Sequence, residues 1–128
     1  GDPRGGKETI MVVDDDEDIR ALTTDLLERF GYTVHSFKNG EEALVHFKLN
    51  PDQFDLIITD MTMPRMTGYT LAKKVLQTRK GMPIILCTGY SETISKTNAL
   101  EIGIRRYLEK PLQNKDLLFN IREVLDAE

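Results

Sequence analysis

Apolar residues fall into two rhythms that take turns along this chain. Continuous runs at Ile10-Met11-Val12-Val13, Leu56-Ile57-Ile58 and Pro83-Ile84-Ile85-Leu86-Cys87 have the two-sided apolarity of strands buried in a parallel sheet. Between them the period lengthens. Ile19, Leu22, Leu26, Leu27 and Phe30 recur at helical spacing, as do Ala43, Leu44 and Phe47, then Leu71, Ala72, Val75 and Leu76. Leu117, Leu118, Ile121, Val124 and Leu125 form the cleanest helical set. Residues 32–37 alternate like a less buried edge strand, and 104–109 form a fifth strand. Residues 91–102 predict a helix with a narrow apolar face made of Ile94, Ala99, Leu100 and Ile102. The punctuation agrees: Asp16 and Thr67 suit helix N-caps, while Gly31, Gly81 and Gly103 suit helix stops.

Five strands alternating with five helices predict an α/β, doubly wound (βα)5 sheet covered on both faces, a three-layer α/β/α arrangement. Strands one, three and four are the most apolar and belong in the centre. That predicts the flavodoxin-like order 2-1-3-4-5. The strand order then reverses between strands one and three, and ligands of such sheets bind outside the carboxyl ends at that point.

Composition trims the alternatives. At 128 residues the chain suits one domain with a core of ordinary size. A net charge of −4 argues against direct nucleic-acid binding and against an anionic membrane surface. The one cysteine, Cys87, forms no internal disulfide and reads as a small buried hydrophobe. With no run long enough to span a membrane, the expected setting is cytoplasmic. Residues 1–8, rich in Gly and charge, read as a linker or tag remnant, leaving 9–127 as the domain.

The strand ends carry the chemistry. Strand one ends at Asp14 and Asp15, strand three at Asp60, strand four at Thr88 and strand five at Lys110, and the sheet order gathers them on one rim. Carboxylates about 4 Å apart repel by roughly 4 kcal/mol at an effective dielectric of about 20. Such a cluster calls for a cation, and an oxygen-only set suits Mg2+, with Mn2+ as the alternative. Asp14 and Asp15 are adjacent, so the chain must already be turning for both to serve. Asp60 then suits a nucleophile toward an activated phosphoryl group, with Lys110 and Thr88 stabilising the charge that develops. His35 and His46 fall away from the rim.

These stretches resemble the receiver domains of two-component response regulators. The resemblance is carried by VVDDD at 12–16, DLIITDMTMPRMTG at 55–68, LCTG at 86–89 and RYLEKPL at 106–112. It implies Asp60 as phosphoacceptor, Asp15 as a direct metal ligand, Asp14 acting partly through water, and the Thr62 backbone carbonyl completing the protein ligands. It further implies Thr88 and Tyr107 as a paired switch and a cis Lys110–Pro111 peptide. Thr62 and Tyr90 occupy the positions at which family members tune access of hydrolytic water.

By the same resemblance the phosphodonor is a histidine kinase or a histidine phosphotransfer domain. The wording of 83–112 is similar to receivers fused to hybrid histidine kinases, with a stand-alone receiver as the competitor. The family regulates rather than turning over substrates, and the 91–128 face is expected to bind a partner or a second copy. Three rivals differ in one residue class each. An FMN binder would need a Ser/Thr/Gly-rich loop where three aspartates stand at 14–16. A haloacid-dehalogenase-like phosphatase would need an acid at Thr62. A pseudo-receiver, binding partners without phosphorylation, would lack one of the five site residues, and all five are present.

Overall fold

Five strands pair in parallel in one sheet: β1 (Thr9–Val13), β2 (Thr33–Phe37), β3 (Leu56–Asp60), β4 (Ile84–Thr88) and β5 (Arg106–Glu109). Their spatial order is β2-β1-β3-β4-β5, the order the apolar pattern predicted. Five helices connect and follow them: α1 (Glu17–Arg29), α2 (Gly40–Leu49), α3 (Gly68–Thr78), α4 (Lys96–Ile102) and α5 (Asn114–Asp126). A single 3-10 turn, Pro51–Gln53, follows α2. The computed structural model describes residues 2–89 and 95–128.

Each face of the sheet has its own core. Met11, Val13, Ile57, Ile84 and Leu86 point toward α2, α3 and α4, where Phe47, Leu71, Val75 and Ala99 cover them. Ile10, Val12, Leu56, Ile58 and Ile85 point the other way, against Leu26 and Leu27 of α1 and Leu118, Ile121 and Val124 of α5. Alternate residues of one strand thus serve opposite cores, and this explains why the central strands are apolar on both sides. Each fully buried side chain of this size contributes roughly 1.5–3 kcal/mol.

The helix starts follow their caps. Asp16 accepts from the Asp18 and Ile19 N–H groups at 3.0 and 3.1 Å, and Thr67 accepts from Thr70 at 3.2 Å. Gly68 is needed for a different reason. A Cβ there would lie 2.2 Å from the Asp60 carbonyl oxygen, so only glycine lets α3 start this close to the end of β3.

Two expectations change. Leu22 and Ile19, expected in the core, are 70% and 41% exposed. The apolar stripe of α1 is wider than its contact: Leu22 lies roughly 140° around the helix from Leu27 at 3.6 residues per turn. Helix α4 starts at Lys96 with Ser95 as its cap and buries only Ala99, while Leu100 is 43% exposed. The earlier part of the expected 91–102 helix, with Ile94, lies outside the described residues, as does Tyr90.

The leading segment, set apart by composition, is docked on the fold. Gly6 N–H donates to the Phe30 carbonyl at 3.1 Å, and Arg4 pairs with Asp126. Glu8 accepts from Arg122 at 2.9 Å, and the same guanidinium reaches Tyr32 and Asp126. A Cβ at Gly5 would lie 1.9 Å from the Phe30 carbonyl oxygen, so here too glycine permits the close approach. Among the described residues, no helix is long and apolar enough to cross a membrane.

Candidate phosphoryl-transfer and metal site

The parallel registers bring the chemistry to one end of the sheet. Val13 pairs with Thr59 and Asp60 with Cys87, so the acids that follow β1 and end β3 are neighbours. Carboxylate oxygens of Asp14, Asp15 and Asp60 all lie within 4.8 Å of one another. Lys110, just past β5, places Nζ 2.6 Å from Asp60 Oδ1. Its backbone N–H donates to the Thr88 carbonyl at 2.7 Å, which ties the end of β5 to the end of β4. The Lys110–Pro111 peptide is cis. A cavity of about 610 Å³ opens beneath these groups between α1 and α5, floored by Val12, Leu26, Ile58 and Leu117.

Adjacent aspartates reach the same hollow because the chain leaves the strand at Asp14. The Asp14 N–H still donates to the Phe37 carbonyl at 3.1 Å, but its Oδ1 already accepts from the Asp16 N–H at 2.9 Å. That Asx-type turn also starts α1. Arg20, which neither the apolar pattern nor the motifs single out, also belongs to this turn: its Nη1 donates to the Asp14 carbonyl at 2.7 Å. One signal was available: a cation in the opening turns of a helix opposes the macrodipole, so Arg20 needs a partner of its own.

Burial raises the Asp60 carboxyl above the usual aspartate range and outweighs the pull of Lys110, with Asp14 and Asp15 adding to the rise. Burial likewise raises Asp14. At Lys110 burial opposes the charge, yet the Asp60 carboxylate wins and raises the ammonium pKa. Thr88 is fully buried at the end of β4, and its hydroxyl has no hydrogen-bond partner among the described residues. Tyr107 pairs with Leu86 across β4–β5 and packs, partly buried, on the α3–α4 core. Thr62 lies exposed in the loop after β3. His35 meets Phe54 edge to face and His46 lies tilted against Phe37, toward the β2 edge.

Hard oxygen donors, close enough to repel and partly withdrawn from water, fit a divalent cation such as Mg2+. The cost of the bare cluster is measurable. Because the folded chain binds the Asp14 and Asp60 protons more tightly than the unfolded chain does, their contribution favours folding at low pH. It is lost as pH rises through the folded pKa values. Asp14→Asn keeps the acceptor for Asp16 N–H and removes a charge. Without divalent cations at neutral pH it is expected to gain about 1 kcal/mol after solvent screening, or roughly 4 °C in melting temperature. Calorimetry in chelator checks this, and the gain should shrink at acid pH. An Asp14→Asn protein that melts at or below the parent at neutral pH would contradict it.

A doubly wound sheet with an acid cluster at its switch point, and a lysine bonded to the central acid, defines a signalling receiver more closely than a nucleotide-binding fold. The match to known families agrees: the response regulator receiver domain matches residues 10–122, and this chain belongs to that family. It is 38% identical over 119 residues to the probable transcriptional regulator ycf27 of Porphyra purpurea, covering 93% of this chain and 48% of that protein. A response regulator receiver domain protein from Clostridium thermocellum superposes with a TM-score of 0.89 at 29% identity, covering 94% of this chain and 95% of that one. The receiver domain of a signal transduction histidine kinase from Syntrophus aciditrophicus gives 0.83 at 29% identity, covering 94% and 91%. The chain spans about half the length of the curated relatives it matches. Those relatives are named as transcriptional regulators, so the expectation of no direct nucleic-acid binding finds no support here.

Proposed function

We propose that this receiver domain takes a phosphoryl group onto Asp60 and uses the resulting aspartyl phosphate as a switch. The observation that carries the reading is the pairing of Asp60 with Lys110 at 2.6 Å inside a three-carboxylate cluster. Asp14, Asp15, Asp60 and the Thr62 carbonyl would hold Mg2+ (or Mn2+). The bound cation would supply charge neutralisation for the equatorial phosphoryl oxygens. A carboxylate oxygen of Asp60 attacks phosphorus as the bond to the donor breaks, and no general base is required because the acid is ionised. With a phosphohistidine donor, from a histidine kinase or phosphotransfer domain, the leaving imidazole keeps its electron pair and takes its proton from water. The Lys110 ammonium follows the charge from the carboxylate to the phosphoryl group.

The buried Thr88 hydroxyl supports a role as the group that turns toward the phosphoryl oxygens, with Tyr107 following on the same strand pair. Output is a population shift. Moving from 1:99 to 99:1 active requires roughly 5.5 kcal/mol of differential stabilisation. The α4–β5–α5 side, where Leu100 and Phe119 are exposed, would meet a partner or second copy. Fusion to a hybrid kinase and a stand-alone regulator both suit this site, and the cytoplasm suits both donors.

Thr62 and Tyr90 tune the lifetime in this reading. Tyr90→Ala is expected to speed loss of labelled aspartyl phosphate several-fold, and decay no faster than the parent would remove Tyr90 from that role. The reading as a whole is tested by intact mass after incubation with acetyl phosphate, with Mg2+ and with chelator. One phosphoryl adduct appearing only with Mg2+ is expected. No adduct under either condition would leave a protein-binding pseudo-receiver instead.

A further inference from the structure

We propose that Arg20 is a positioning residue for the divalent cation, acting through the Asp14 carbonyl; the proposal rests on the reading of the acid cluster as the cation site. Strand geometry sends adjacent side chains to opposite faces, yet Asp14 and Asp15 carboxylates meet in one hollow. The turn that allows this is pinned at three atoms of Asp14. Its N–H donates to Phe37, its Oδ1 accepts from the Asp16 N–H, and its carbonyl oxygen accepts from Arg20 Nη1 at 2.7 Å. The third bond governs the peptide joining the two acids, because that carbonyl belongs to it. Arg20 is partly buried and charged, so this charge-assisted bond is stronger than a neutral one.

Arg20 acts on the cation in two opposing ways, and this makes the idea testable by sign. As a bare positive charge it repels a cation, so losing it would tighten binding. As the clamp on the Asp14–Asp15 peptide it aligns two ligands, so losing it would loosen binding. The second effect is the larger, because the guanidinium bonds the Asp14 carbonyl, an atom of the peptide that joins the two acids, and so acts on how both carboxylates are aimed. Groups that orient metal ligands typically change affinity by about 10–100-fold when removed.

The test is Mg2+ titration by calorimetry on the parent, Arg20→Met and Arg20→Lys, with phosphorylation rates from acetyl phosphate at saturating Mg2+. Arg20→Met is expected to bind Mg2+ about tenfold more weakly, to recover most of the parent rate once saturated, and to be partly rescued by Arg20→Lys. Melting temperatures in chelator verify that each variant is folded at the titration temperature. If the parent binds and Arg20→Met binds as tightly or more tightly, the positioning role is overturned while the cation site stands. If the parent itself binds no Mg2+, both fall together.

Discussion

Asp60→Asn is expected to abolish phosphorylation. The carboxylate is the nucleophile, and an amide oxygen in its place has neither the charge nor the basicity to attack phosphorus. The substitution is nearly isosteric, and its carbonyl oxygen can still accept from Lys110, now 2.6 Å from Oδ1. Burial already works against the charge on Asp60, so removing it should not unfold the chain. Loss of adduct with an unchanged or raised melting temperature is therefore the specific outcome. Circular dichroism melts, run beside mass measurement, separate it from simple misfolding.

Lys110→Met is expected to slow phosphorylation by about 10²–10³-fold at saturating Mg2+, the usual cost of removing one preorganised charge from a developing oxyanion. The methylene stem of Met fills similar space, so packing around Leu112 and Leu117 beneath the site is disturbed little. Asp60 raises the Lys110 pKa, so the ammonium stays charged throughout the neutral range. The pH profile of the parent should accordingly show no lysine limb near neutrality. Lys110→Arg should restore little, since a planar guanidinium cannot occupy the place of a compact ammonium between Asp60 and the end of β4. Quench-flow or densitometry of phosphorylated protein gives the rate. A Lys110→Met rate within about threefold of the parent would remove Lys110 from transition-state stabilisation.

The sheet was legible because its strands announce themselves. Ile57-Ile58 and Ile84-Ile85 are apolar on both sides and could only lie in the middle of a covered sheet, which left Thr33–Phe37 for the edge. Once the order followed, the neighbourhood of Asp14, Asp60 and Lys110 was fixed by strand ends alone, whose side chains need no fine geometry to be placed. Less legible was anything set by helix rotation. Leu22 and Leu27 share one apolar stripe in sequence, yet one is 70% exposed and the other fully buried, because the sheet touches only part of the stripe. The charge of Arg20 near a helix start hinted at a partner without naming it: the partner is a backbone carbonyl, and a carbonyl has no residue type to recognise. The docking of residues 4–8 depends on Gly5 and Gly6 lying against the Phe30 backbone, a contact that glycine permits and composition alone reads as looseness.

The most direct measurement is site mapping of the adduct. Parent and Asp60→Asn are incubated with acetyl phosphate and Mg2+, trapped by borohydride reduction of the acyl phosphate, and digested for mass analysis. The expected result is one reduced site at Asp60 in the parent and none in Asp60→Asn. An adduct at another acid, or one that persists in Asp60→Asn, would contradict the assignment of Asp60 as phosphoacceptor.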